Sequence, residues 1–282
     1  MTTRALFTIG LLSAIGALAA TDAPAGPAPL AIDGAADAAG SAPHATAAPQ
    51  DFPWLAYDGS FTFARIRYKD RGGFGGGGGR RRGGFGDPGW HHDYPDAERH
   101  FSKIVQELTL ARVRQDPSGG NIIMLDDPRL NQFPVAYMSE PVDWFPDEKE
   151  AEGLRNYLLK GGFIIFDDFD VRRGAMYNLV EQMSRIFPEL RFMPADGSEP
   201  IFDSFFKIDP FTIVMPSYRG NMPQWYVMYE DNDRSKRILA VANDQADIGE
   251  FWEFSDRGFY PIDLSNEAYK VGVNYLIYAL TH

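Results

Sequence analysis

Residues 146–170 read PDEKEAEGLRNYLLKGGFIIFDDFD, and this stretch decides the fold class. Pro146 suits a first helical position, and Asp147, Glu148 and Glu150 put negative charge at the positive end of a helix dipole. Leu154, Tyr157 and Leu158 recur at i, i+3, i+4, which predicts one apolar face. Lys160 falls in the last turn, and Gly161 can take the left-handed conformation that closes a helix. Phe163 to Phe166 is apolar without alternation, as expected of a strand covered on both faces in a parallel sheet. Asp167, Asp168 and Asp170 follow at its carboxyl end, where open α/β sheets place ligands.

Working outward, strands and helices alternate. Residues 61–68 (FTFARIRY) read as a first strand, 121–125 as a second and 135–138 as a short third. A helix is predicted from the His91–Pro95 region to about Arg114, with Phe101, Ile104, Val105 and Leu108 inward and Asp93 as its N-cap. Tyr177 to Phe187 reads as another amphipathic helix, and 194–223 as an irregular proline-rich cap. Residues 225–229 and 237–242 read as a strand pair around Asp231-Asn232-Asp233. A last helix, capped by Ser265, carries Ala268, Val271, Tyr275 and Tyr278 inward. Such alternation predicts right-handed βαβ units, hence an α/β fold with a mainly parallel sheet and helices on both faces.

The N-terminus reads differently. Arg4 precedes an apolar run over 5–20, broken by Gly10 and Gly16, with Ala17-Leu18-Ala19 as a cleavage pattern. Residues 1–19 are therefore expected to be a secretory signal peptide, and 20–50, rich in Ala and Pro, a disordered linker. Residues 51–282 form the expected domain. The chain is expected to be periplasmic or secreted, with no transmembrane span once the signal is removed; an uncleaved N-terminal membrane anchor is the alternative.

The chain has no cysteine and a net charge of −12. Thiol chemistry and disulfide staples are thereby excluded, and general binding to nucleic acid or anionic membrane is disfavoured by the long-range field. Residues 71–90 (RGGFGGGGGRRRGGFGDPGW) form a glycine- and arginine-rich loop. It matches GxGxxG twice, at Gly73 and Gly84, but glycine content alone produces such matches, and no GxxxxGK[ST] is present. With Arg65, Arg67 and Lys69 it makes a local basic patch.

Two groups of residues carry candidate chemistry. His91, His92, Asp93, Asp96 and His100 form the one histidine cluster, and imidazole with carboxylate is a plausible ligand set for a divalent metal. Asp126, Asp127, Asp167, Asp168, Asn243 and Asp244 fall at strand ends, with Trp144 or Trp252 as aromatic cover, and are the candidate ligand-binding residues.

The motifs FTFARIRY, HHDYPDAERHF, LRNYLLKGGFIIFDD, EPIFDSFF and YKVGVNYLIYALTH, in that order around the glycine loop, resemble the DUF4159 family of uncharacterised bacterial domains over 61–282. The resemblance implies a class I glutamine amidotransferase-like, flavodoxin-like fold, and no established activity. Members of the family often carry a histidine just before the PIF motif; Glu199 stands there in this chain. True amidotransferases use a cysteine on a strand-to-helix elbow, so that activity is excluded, and no GxSxG elbow offers a serine substitute. Asp167-Asp168 occupies the corresponding strand end.

Three functions follow as expectations. The first is an exported, non-catalytic domain binding an unknown small molecule, carbohydrate or envelope protein. The second is a metal-dependent hydrolase in which Asp167 and Asp168, with His91 or His92, hold a divalent cation that activates water, Arg172 being a possible buried counter-charge. The third is an envelope assembly scaffold that uses the linker as tether and the glycine–arginine loop as contact.

Overall fold

A computed structural model describes residues 52–69, 89–169, 174–213 and 222–282. The expected signal peptide and linker, most of the glycine–arginine loop, Asp170 and Arg172 lie outside the described residues.

Among the described residues, seven strands form one mixed sheet: β1 (Ala64–Ile66), β2 (Asn121–Ile123), β3 (Val135–Ser139), β4 (Phe163–Asp167), β5 (Met193–Pro194), β6 (Gln224–Tyr229) and β7 (Ile238–Asp244). Their order is β2-β1-β3-β4-β7-β6-β5. The pairs from β2 to β7 are parallel, whereas β6 pairs antiparallel with both β7 and β5. The chain moves outward from β1 to β2 and then crosses to β3, so the topological switch lies between β1 and β3. Crevices at such switches, outside the carboxyl ends of the strands, are where open α/β sheets bind ligands.

Among the described residues, five helices cover the sheet: α1 (Asp96–Leu108), α2 (Glu148–Leu159), α3 (Ala175–Ile186), α4 (Ile248–Glu253) and α5 (Ile262–Thr281). Alternation along the strands divides the core in two. Tyr137, Phe163, Ile165 and Val241 pack with Phe101 and Val105 of α1, Phe251 and Trp252 of α4, and Val271 and Tyr275 of α5. Ala136, Met138, Ile164, Phe166 and Ala242 pack with Leu154 and Leu158 of α2 and Leu179 and Met183 of α3. An α/β fold with a mostly parallel sheet and helices on both faces is therefore what the chain adopts. Among the described residues, no helix is long and apolar enough to cross a membrane.

The stretch around β4 is built much as its residues dictate. Asp147 is the N-cap of α2, its side chain accepting a bond from the Glu150 N–H at 2.9 Å, so Pro146 precedes the cap and is not the first helical residue. Gly161 closes the helix turn at φ 111°, a conformation that strains any residue with a Cβ. Other boundaries shift. β1 is shorter than predicted because Phe61 bridges only Val113. Helix α1 stops at Leu108, well before Arg114. Ser265 caps nothing: α5 starts at Ile262, and Ser265 is buried inside it, because Pro261 already fixes the entry.

Candidate functional site

β4 ends in two aspartates that do different work. Asp167 continues the alternation and faces the α1/α4 side. Its Oδ2 accepts bonds from the Tyr137 hydroxyl at 2.7 Å and the Ile248 and Gly249 amides at 2.9 and 3.0 Å, and its Oδ1 accepts one from the Asn243 side chain at 2.9 Å. Four donors hold this carboxylate at the start of α4 and tie β3, β4 and β7 together. Asn243 in turn accepts a bond from the Tyr275 hydroxyl at 2.8 Å. Burial pushes the Asp167 carboxyl up to about 7 even though the donors pull it down.

Asp168 leaves the strand line at φ 59°, a left-handed position that aspartate tolerates better than most residues. Its Oδ2 lies 3.0 Å from His92 Nδ1. The same nitrogen lies 3.1 Å from Asp93 Oδ1. Asp93 is also left-handed, at φ 66°, and its side chain is wholly buried. The N-cap of α1 is Pro95, with no side-chain capping bond, so the expected capping role of Asp93 is not what the chain uses. Its carbonyl takes the Ala97 amide at 3.0 Å, and its carboxylate turns into the sheet edge instead.

Helix α4 completes the arrangement. Asp247 is its N-cap, accepting the Glu250 amide at 2.9 Å, and Glu250 accepts a bond from the Tyr260 hydroxyl at 2.6 Å. His92, Asp168 and Asp247 each bring one ligand atom within 4.8 Å of one another, and so do His92, Asp93 and Glu250. The two groups that the sequence places some seventy-five residues apart, around His92 and around Asp168, are therefore one cluster. Gly249 makes the close approach possible, since a Cβ there would collide with the Tyr137 hydroxyl and the Asp93 carboxylate.

The electrostatics follow from crowding. Burial, then Asp168 and Asp93, hold the Asp247 carboxyl well above the ordinary range. Burial and then Asp93 push Glu250 up to about 6 and Glu253 up to about 8. Burial opposes charge on His92, but Asp93 and Asp168 outweigh it and raise the imidazole well above its usual value. The ring is nevertheless 43% exposed, so the cluster opens to solvent at the histidine while its carboxylates lie inside. Beneath it the guanidinium of Arg65 on β1 is fully buried, paired with Glu98, bonded to the Trp90 carbonyl at 3.0 Å and 4.9 Å from the Tyr137 ring centre. Arg65 thus anchors the base of the segment that carries His92 and Asp93.

Backbone strain concentrates here. Among the described residues, six non-glycine residues have positive φ; Asp231 and Asn232 form the β6–β7 turn, while Asp93, Glu140, Asp168 and Gln245 all lie beyond carboxyl ends of the parallel strands or in the segment that meets them. Each such residue costs roughly 1–3 kcal/mol, and persists where the surroundings over-determine it.

The remaining candidates lie elsewhere. Asp126 is exposed at the end of β2, beyond β1 and β3 from the cluster. Asp127 caps the short 3-10 turn 128–132 and pairs with Arg129 at 2.5 Å. Asp244 follows Asn243 and so faces the α2/α3 side. Trp252 is 1% exposed in the core, stacked on Phe101 with ring centres 4.4 Å apart, and presents no face to a ligand. Trp144 is fully buried against Phe166. Asp96 pairs with Arg99 and Arg257, His100 bonds the Trp252 carbonyl at 2.8 Å, and the His91 ring sits edge-on to Trp90 and Tyr94. Glu199 is a structural group: it accepts the Asp196 and Gly197 amides and pairs with Arg234 at 2.7 Å. Sequence reading missed Tyr137, Asp247 and Glu250. Asp247-Ile248-Gly249-Glu250 before Phe251-Trp252 has the capping-box form that could have revealed α4.

An open α/β sheet with strained, acid-rich carboxyl ends and one imidazole among the carboxylates defines the class: an α/β domain with its candidate site at the strand termini. Residues 62–280 match the family model described as Domain of unknown function (DUF4159), and the chain belongs to that family. No curated protein matches it.

Proposed function

We propose that this chain is an exported ligand-binding domain whose carboxyl edge holds a divalent cation through His92, Asp168 and Asp247. One observation carries the reading: His92 Nδ1 lies 3.0 Å from Asp168 Oδ2, with an Asp247 oxygen inside the same 4.8 Å group. Crowded, buried carboxylates hold protons when nothing else neutralises them, and a divalent ion is a better counter-charge than a proton shared among them. One imidazole with several carboxylates suits Mn2+, Fe2+ or Zn2+ more than Ca2+. Export is supported by the Arg4-led apolar run, and a flavodoxin-like, amidotransferase-like scaffold by the β1/β3 switch.

A second reading, hydrolysis by a cation-activated water, is favoured by the solvent opening at His92, which leaves a coordination position for water. Elemental analysis after loading with Mn2+ and dialysis tests the first reading. Bound ion in the wild type and none in Asp168→Ala, with unchanged circular dichroism, is expected. An ion-free wild type overturns it. Turnover of ester, amide or phosphoester substrates by the loaded wild type and none by Asp168→Ala would establish the second reading.

A further inference from the structure

We infer that the carboxyl edge is a two-cation centre, in which Asp93 and Glu250 complete a second position beside the one formed by His92, Asp168 and Asp247. This rests on the cation reading above and extends it from one ion to a pair.

The geometry supplies two overlapping triads, His92–Asp168–Asp247 and His92–Asp93–Glu250, each with its ligand atoms within 4.8 Å. Both converge on the same imidazole, whose Nδ1 faces Asp168 and Asp93 together. A single nitrogen lone pair coordinates a single ion, so His92 cannot serve both positions through that atom. The carboxylates can: an aspartate or glutamate offers two oxygens and bridges neighbouring ions readily.

Asp93 gives an independent reason. Its side chain is 0% exposed, and among the described residues neither of its oxygens accepts a well-formed hydrogen bond. Its close polar neighbour is the His92 Nδ1 at 3.1 Å. Once that nitrogen binds an ion it carries no proton, and Asp93 loses even this partner. A buried carboxylate without donors is strongly disfavoured, so the first ion creates the need for a second counter-charge. Arg65, the buried cation below, pairs with Glu98 and the Trp90 carbonyl and acts on Asp93 at longer range, but its remaining Nη2 makes no hydrogen bond to the Asp93 carboxylate. Room exists because residue 249 is glycine: a Cβ there would lie 2.5 Å from Asp93 Oδ2.

Ligand supply leads to the same number. Asp93, Asp168, Asp247 and Glu250 are the carboxylates of the two triads, and each has two oxygens to offer. Paired ions about 3.5–4 Å apart are a recurrent arrangement of carboxylate-rich centres.

The test is a Mn2+ titration of the full chain, with free ion measured by electron paramagnetic resonance. Two Mn2+ per chain with an exchange-coupled spectrum is the expected result. Asp93→Asn and Glu250→Gln should each reduce the stoichiometry from two to one, with the remaining ion uncoupled. One Mn2+ per wild-type chain, unaffected by Asp93→Asn, overturns the pair and leaves the single-cation reading standing. Two Mn2+ without coupling also overturns it, because the ions would then be apart. No bound Mn2+ overturns both readings. The wild-type stoichiometry decides the matter even where a variant fails to fold.

Discussion

His92 Nδ1 lies 3.0 Å from Asp168 Oδ2, and these two residues come from opposite sides of the topological switch. Exposed ion pairs contribute about 0.2–1 kcal/mol, but Asp168 is only 1% exposed, which moves this pair toward the buried case. Without added cation, a double-mutant cycle with His92→Ala and Asp168→Ala should give a coupling of about 1–3 kcal/mol in urea unfolding at pH 6. The folded His92 imidazole titrates well above 6.5, so its contribution is complete below 6.5 and disappears as pH rises through the folded value. A coupling that grows between pH 6 and 9 would contradict the pairing.

Asp167 is expected to matter for stability more than for ligand contact. Asparagine presents an amide group to a position that now accepts four bonds, so at least one donor among Tyr137, Ile248, Gly249 and Asn243 loses its acceptor. Asp167→Asn should cost about 2–4 kcal/mol, given about 1–3 kcal/mol for each buried donor left unsatisfied. Chemical denaturation measures this. A cost below about 0.5 kcal/mol would mean that the network does not hold α4 in place.

Gly249→Ala separates space from charge. The added methyl meets the Asp93 carboxylate and the Tyr137 hydroxyl, both buried and neither able to retreat into solvent. Overpacking of this kind costs about 1–3 kcal/mol. Mn2+ affinity should fall with it at unchanged ligand chemistry, read by isothermal calorimetry on the folded variant. Wild-type affinity in Gly249→Ala would show that Asp93 need not sit where it does.

Residues 146–168 were legible because local chemistry and tertiary context agree there. The acidic start, the i, i+3, i+4 stripe, Gly161 and the apolar strand each favour the same outcome, and the structure differs in that Asp147 caps the helix and Glu148, not Pro146, is its first residue. The sheet order was not legible beyond its class, since parallel pairing leaves no sequence mark of which strand lies beside which. The site was half legible. His92, Asp93 and Asp168 stood out as residue types, but their union depends on β1 lying next to β3, a long-range fact. Asp247 and Glu250 were missed because α4 has six residues, too short for periodicity to register, and only its capping pattern betrays it. Trp252 misled for the opposite reason: an aromatic near carboxylates in sequence turns its ring into the core, where it stacks on Phe101.

Glu150 offers a test outside the site. Its side chain is buried at the third position of α2, neither oxygen accepts a well-formed bond among the described residues, and burial raises its carboxyl from 4.5 to about 7 against the pull of Lys69. A folded value above the unfolded one means that the fold keeps a proton the unfolded chain releases. This contribution is complete below pH 4.5 and is lost as pH rises through about 7. The difference of the two values corresponds to roughly 3 kcal/mol as an order of magnitude. Glutamine keeps the shape of the protonated acid and does not ionise, so Glu150→Gln should be near neutral at pH 5 and more stable than the wild type at pH 8. The backbone amide of Glu150 still donates to Asp147 in the variant, so the helix cap survives and does not confuse the comparison. Thermal unfolding of both proteins across this range measures it, and a stability difference that stays flat with pH would mean that Glu150 is ionised in the fold and neutralised by Lys69.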